Sequence, residues 1–338
     1  MAFENRLKAA EDTPSLSTGP IQPSSHPSSG LKSIFVGRNG LRAGWRLLIF
    51  TAGLIVLSLG FLQLFNGLLA FAKHAVAAGR APVELLSPPL VQGVFDLLAF
   101  GVVLLLSWLM SRIEGRSVGA YGLPLSRPAA PLRRLASGLV VGFLLIFVIL
   151  LILRGAHVFY FGSLALSGAQ IVGWGLLWGC ITLAVGFFEE SLFRGYALYT
   201  LADGISFWPA AVIMGLIFSR GHMGNPGETY VGIAGIMLFA LLNSAFLLRT
   251  GDLWLPVGLH AGFDWGQSFF FGVSDSGIQA PGHLLNPRVQ GPAWLTGGTV
   301  GPEASIVTFI VLALLTTGIL VFYRKRQESN PVASSAQN

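Results

Sequence analysis

The chain has little charge. Asp, Glu, Lys and Arg make up 11% of its 338 residues, against 53% hydrophobic ones. Soluble domains carry about 25% charged residues, so this chain has too little polar surface to stay dissolved, and a mean hydropathy of +0.69 agrees. Cysteine is nearly absent. Cys180 stands alone in an apolar run, which excludes an intrachain disulfide and a thiolate metal site. Acidic residues are outnumbered by Lys and Arg, 15 to 21, for a net charge of +6. These cations are spread along the chain and form no single basic segment, which excludes nucleic acid as a partner and points to membrane topology instead. No apolar stretch opens the chain, so no cleavable signal peptide is expected and the first spanning helix directs insertion. There is no internal repeat.

What is present is a series of apolar segments. Residues 1 to about 33 are rich in Ser, Pro, Gly and Thr and are expected to be a disordered tail. Eight apolar segments follow, at about 47–71, 90–110, 135–153, 169–189, 206–221, 229–248, 253–272 and 304–323. A span needs about 20 residues at about 1.5 Å each. The expected fold is therefore all-α, a polytopic membrane helix bundle of about eight transmembrane helices. It divides into the tail, N-terminal helices over 34–164, a core over 165–275, an external loop over 276–303, and a last helix with a basic tail over 304–338. With both termini cytoplasmic, 16 Lys and Arg fall inside and 5 outside, as the positive-inside rule requires.

The fourth to seventh segments are the irregular ones, and they hold the polar groups. Glu189-Glu190-Ser191-Leu192-Phe193-Arg194 ends the fourth. Phe218-Ser219-Arg220-Gly221-His222 ends the fifth, and the seventh contains His260-Ala261-Gly262-Phe263-Asp264. Ionisable groups at membrane depth cost a few kcal/mol each even on lenient scales. A sequence that keeps this many is using them, and carboxylates with imidazoles are the inventory of water-activating hydrolysis.

Spacing separates the roles. Adjacent glutamates on a helix point about 100° apart, so the pair is expected to divide its work. Arg194 lies four residues after Glu190, on its face, in the favourable order for an ion pair. Glu189 is left to face another surface, where a desolvated carboxylate suits a general base. The structural alternative is an acidic pair solvating a helix end. His260 and Asp264, four apart, share a face and suit either two ligands of one metal or a carboxylate orienting an imidazole. The alternative there is a polar pair that joins helices. Asp96, in the second segment, reads as structural.

Glu-Glu-x-x-x-Arg, Phe-x-x-x-His and His-x-x-x-Asp, in that order and each at an apolar helix, resemble the CPBP family, which comprises type II CAAX prenyl endopeptidases and bacteriocin-processing or immunity proteins. The flanking Phe193-Arg194-Gly195-Tyr196 and Arg249-Thr250-Gly251-Asp252-Leu253-Trp254-Leu255-Pro256 are similar too. The resemblance covers about residues 165–275 and implies a multi-helix intramembrane protease with Glu189 activating water and Glu190, Arg194, His222 and His260 as its partners. The family's last motif position is Asn or Asp. Here it is Asp264, which either orients His260, binds a metal, or stays protonated. His222, His260, Glu189 and Asp264 are the candidate ligands of Zn²⁺ or another divalent ion, and the same groups also make a metal-free set. The implied partners are membrane lipid and a membrane-associated peptide or protein substrate, prenylated in some relatives. The implied location is a bacterial-type inner membrane. Two other classes compete, a non-proteolytic immunity or regulatory protein on the same fold and a transporter using the buried charges as an ion path. The lack of paired repeats counts against the transporter.

For Glu189 and His222 to meet, the fourth helix has to continue past Glu189, to about Ala202. The charge bias makes a separate prediction. Reporters fused after Gly272 and at the C-terminus should report opposite sides of the membrane, and a shared side would refute the eight-span count.

Overall fold

The computed structural model describes residues 35–37, 40–125 and 129–328. The N-terminal tail, 1–33, lies outside them. Each of the eight apolar segments forms a helix, as apolar sequence at membrane depth must, since lipid offers the backbone no hydrogen bonds. They are α1 (Ala43–Ala77), α2 (Pro88–Ile113), α3 (Ala129–Gly155), α4 (Ala169–Arg194) with its continuation α5 (Tyr196–Ile205), α6 (Phe207–Gly221), α7 (Tyr230–Thr250), α8 (Trp254–Trp265) and α9 (Ile306–Glu328). Five stretches are long and apolar enough to cross a membrane unaided: 43–77, 88–113, 129–155, 169–205 and 230–250. The remaining three, α6, α8 and α9, are shorter or less regular. α8 runs on as a π-helical turn, Gly266–Phe271. The protein is an integral membrane helix bundle. The faces of α1 carrying Ile55, Val56, Leu59 and Leu64 are exposed, as lipid-facing positions should be.

The fourth segment continues as required. It reaches Ile205 with one break, at Gly195, where φ is −82° and ψ −131°. A Cβ there would collide with the Ser191 carbonyl, which accepts the Gly195 N–H at 3.1 Å, so the bend needs glycine. The continuation is anchored by a polar network. Arg46 on α1 donates to Glu114 and to Asp203, each at 2.8 Å, and the Tyr121 and Tyr196 hydroxyls both donate to Glu114. Burial, and then the Glu114 charge, raise the Tyr121 phenol well above its ordinary value.

At the other end of the bundle a small sheet joins two loops. β1 (Phe159–Leu164), after α3, pairs antiparallel with β2 (Leu285–Val289), in the segment after α8. The stretch expected as a plain external loop thus carries a strand and a short helix, Ala293–Thr296.

The core around α8 is built on glycine. α8 packs most heavily on α3. Gly138 and Gly142 on α3 face the backbone of Leu255 and Leu259, while Gly258 and Gly262 on α8 face that of Leu135 and Leu139. Two small-x-x-x-small stripes thus meet, and any Cβ would overlap the opposing main chain. Gly186 on α4 meets the Val257 carbonyl in the same manner. Gly142→Leu should therefore destabilise by about 1–3 kcal/mol or more, read as an early transition in detergent unfolding. The lipid-facing Val140→Leu, at a residue 59% exposed, should not.

Candidate active site

The glycine contacts set His260 of α8 against the last turns of α4, and one imidazole there meets three carboxylates. Its Nδ1 is 2.8 Å from Glu190 Oε1. Its Nε2 lies 3.5 Å from Glu189 Oε2 and 3.6 Å from Asp264 Oδ2. Adjacent glutamates diverge by about 100°, yet both reach one histidine, because its two nitrogens also point apart. Since a carboxylate can only accept, Nδ1 carries its proton toward Glu190, and Nε2 is left to the pocket.

The two glutamates differ in setting. Glu190 is completely buried, and its Oε1 also accepts from Arg194 Nη1 at 3.0 Å, four residues on, as the spacing predicts. Glu189 keeps 22% of its side-chain surface. It lies near the middle of the 169–205 stretch, which at about 1.5 Å per residue is ~55 Å long. This places Glu189 away from either end of the bundle.

His222 caps α6. Its Nδ1–H donates to the Phe218 carbonyl at 2.9 Å, which leaves Nε2 as an acceptor in the neutral ring. It joins the group through Phe218, whose ring lies 4.7 Å from the His222 ring, 6.3 Å from His260 and 4.5 Å below the Arg194 guanidinium. Phe218 therefore has its own task in Phe-x-x-x-His: it seats a buried cation and separates two imidazoles. Phe239 of α7 closes the other side of His260, edge-on at 5.2 Å.

Asp264 is followed by residues that nothing in the one-dimensional pattern marks out. Beyond it the π turn carries Ser268, whose hydroxyl donates to Asp275 at 3.0 Å. The Ser276 N–H in turn meets Glu303 at 2.5 Å. Both carboxyls titrate above the usual range. Burial raises Asp275 to about 6, and burial and then the Asp275 charge push Glu303 up to about 8. These residues lie in an aperiodic loop, and only tertiary structure brings them to the site. Asp96 is buried on α2 and bonded by Gln92 at 2.8 Å, consistent with a structural role.

The candidate metal ligands were Glu189, His222, His260 and Asp264. Among the described residues, no three His, Cys, Asp or Glu side chains are grouped so as to hold an ion. No step below runs through a metal.

The buried Glu190–Arg194 pair yields a stability prediction. Arg194→Ala leaves Glu190 short of its cation and should cost about 3–5 kcal/mol. Adding Glu190→Gln should recover much of the loss in detergent unfolding. Equal stability of the single and double variants would show that the pair is not coupled.

Residues 171–266 match a family model described as type II CAAX prenyl endopeptidase Rce1-like. No curated protein matches the chain. The matched stretch holds Glu189, Glu190, Arg194, His222, His260 and Asp264, five of which the fold joins directly around one imidazole while Phe218 links the sixth. Over this core, residues 171–266, the chain is similar to the CPBP family of CAAX-protease-like membrane proteins.

Proposed function

We propose that the chain is an intramembrane endopeptidase that hydrolyses peptide bonds of membrane-associated substrates, with Glu189 as general base. One observation carries this reading. Two glutamates face opposite nitrogens of His260, one sealed in the protein and tied to Arg194, the other partly exposed. That is a division between orienting and reacting groups.

In the proposed reaction Glu189 takes a proton from water as the water oxygen bonds to the substrate carbonyl carbon. Glu190 fixes the ring of His260, whose Nε2 faces the same space. When His260 holds a proton on each nitrogen, Nδ1–H toward Glu190 and Nε2–H beside Glu189 and Asp264, that Nε2–H stabilises the developing oxyanion. As the C–N bond breaks, the departing nitrogen takes up the proton that Glu189 removed. Asp264, an acceptor when ionised, orients His260 and does not contact the oxyanion itself.

Membrane-embedded location, family and charge bias together support an inner membrane of bacterial type with both termini cytoplasmic. Prenylated substrates belong to this proposal by family analogy alone. The competing reading is a non-proteolytic immunity or regulatory protein on the same fold.

The test uses purified protein against a library of membrane-spanning peptides. Glu189→Gln should cut turnover by about 10²- to 10⁴-fold without loss of folding. No cleavage by the wild type favours the regulatory reading, and turnover that survives Glu189→Gln but vanishes in Glu190→Gln reverses the two roles. Elemental analysis after chelation addresses metal. Full activity without stoichiometric metal would leave Glu189, His222 and His260 as a metal-free water-activating set. Activity that departs with the ion and returns with Zn²⁺ would overturn the metal-free route.

A further inference from the structure

Gln267 is completely buried, and neither its Oε1 nor its Nε2 has a hydrogen-bond partner among the described residues. A buried carboxamide normally finds partners for both ends, and one that lacks them calls for an explanation. It sits at the start of the π turn that follows α8, seven residues after His260 and three after Asp264. Such insertions of π geometry recur at functional sites. Residues at i, i+4 and i+7 share one helix stripe, so Gln267 continues the row that turns His260 and Asp264 toward Glu189. Its main chain is fixed, since the Val273 N–H bonds to the Gln267 carbonyl at 3.1 Å.

The chemistry of the free group narrows what it takes. A neutral carboxamide offers a donor and an acceptor side by side, the complement of a peptide group's C=O and N–H. A bound anion or metal ion would use only one end of it. Seven residues of helix rise ~10 Å, which equals about three residues of extended peptide at ~3.3 Å each.

From this we infer that Gln267 binds the substrate main chain about three residues from the bond that is cut, with Nε2–H donating to a peptide carbonyl and Oε1 accepting a peptide N–H. The row Glu189, His260, Asp264, Gln267 then reads as a track for an extended chain, with chemistry at one end and a main-chain clamp at the other. This inference rests on the endopeptidase reading.

The test compares a peptide that the wild type cleaves with versions trimmed to two residues on either side of the cut. The readout is the ratio of kcat/KM between long and short forms. Gln267→Leu should lower that ratio about tenfold, the loss of two modest hydrogen bonds. Gln267→Asn, which keeps the carboxamide on a shorter stem, should recover part of it. An equal loss for long and short peptides would show a structural role and overturn the inference, as would no change in either. Should Gln267→Leu fail to fold, Gln267→Ala is read in its place. A second arm does not depend on turnover. Affinity for an alternating Leu/Ala decapeptide is measured by fluorescence anisotropy in Glu189→Gln protein, with and without Gln267→Leu. A tenfold loss supports the clamp even if the wild type cleaves nothing, and unchanged affinity overturns it.

Discussion

Glu190 has no exposed surface, and one of its oxygens accepts from both Arg194 and His260. A carboxylate buried in a membrane bundle has to be compensated on the spot, because neither lipid nor distant charge can do it. Arg194 is supplied by the same helix at the only spacing that brings it onto Glu190's face with good geometry. His260 comes from another helix, so its contribution depends on how closely α8 can approach α4. That approach is set by residues without side chains: Gly186 against Val257, and the facing stripes of α3 and α8. The bend at Gly195 then lets the chain leave the site at once, and Tyr196, immediately after it, is held by Glu114. The polar centre, the glycine packing and the bend are thus parts of one arrangement that keeps one negative charge buried.

This compensation also separates the two glutamates chemically. Glu190 spends its Oε1 on two partners and has no surface from which to meet a substrate. Glu189, one residue earlier, shares the helix but not the environment, and only it keeps exposure on the side of His260 Nε2. Asp264 faces the same nitrogen at a similar distance.

Much of this was legible in the sequence because it follows helical arithmetic. The four-residue spacing of Glu190 and Arg194, and of His260 and Asp264, fixes shared faces without knowledge of the fold. Eight apolar runs fix eight helices. The required continuation past Glu189 followed from the need for Glu189 and His222 to meet. Adjacent glutamates were expected to face different surfaces; they differ in burial, yet both reach the same ring. Other features were written in the chain yet not selectable from it. Gly138-x-x-x-Gly142 and Gly258-x-x-x-Gly262 are plain patterns, but among 43 glycines nothing in one dimension marks which pairs face each other. Asp275 and Glu303 lie in a stretch without periodicity, and only Ser268 and Ser276 show where they belong. Arg194 was counted among the inward cations, whereas it is buried against Glu190, so one charge leaves the topological tally without changing its sign.

The external segment therefore has a different standing from the loop its composition suggests. It pairs through β2 with the strand after α3, bonds to the π turn through Asp275, and leads through Glu303 into α9. Burial raises both of its carboxyls, and the charge of Asp275 raises Glu303 further. A segment so connected is mechanically part of the site even though no motif runs through it. The motif helices carry Glu189, His260 and Asp264, and this segment is tied to the turn beyond Asp264 by the Ser268–Asp275 bond.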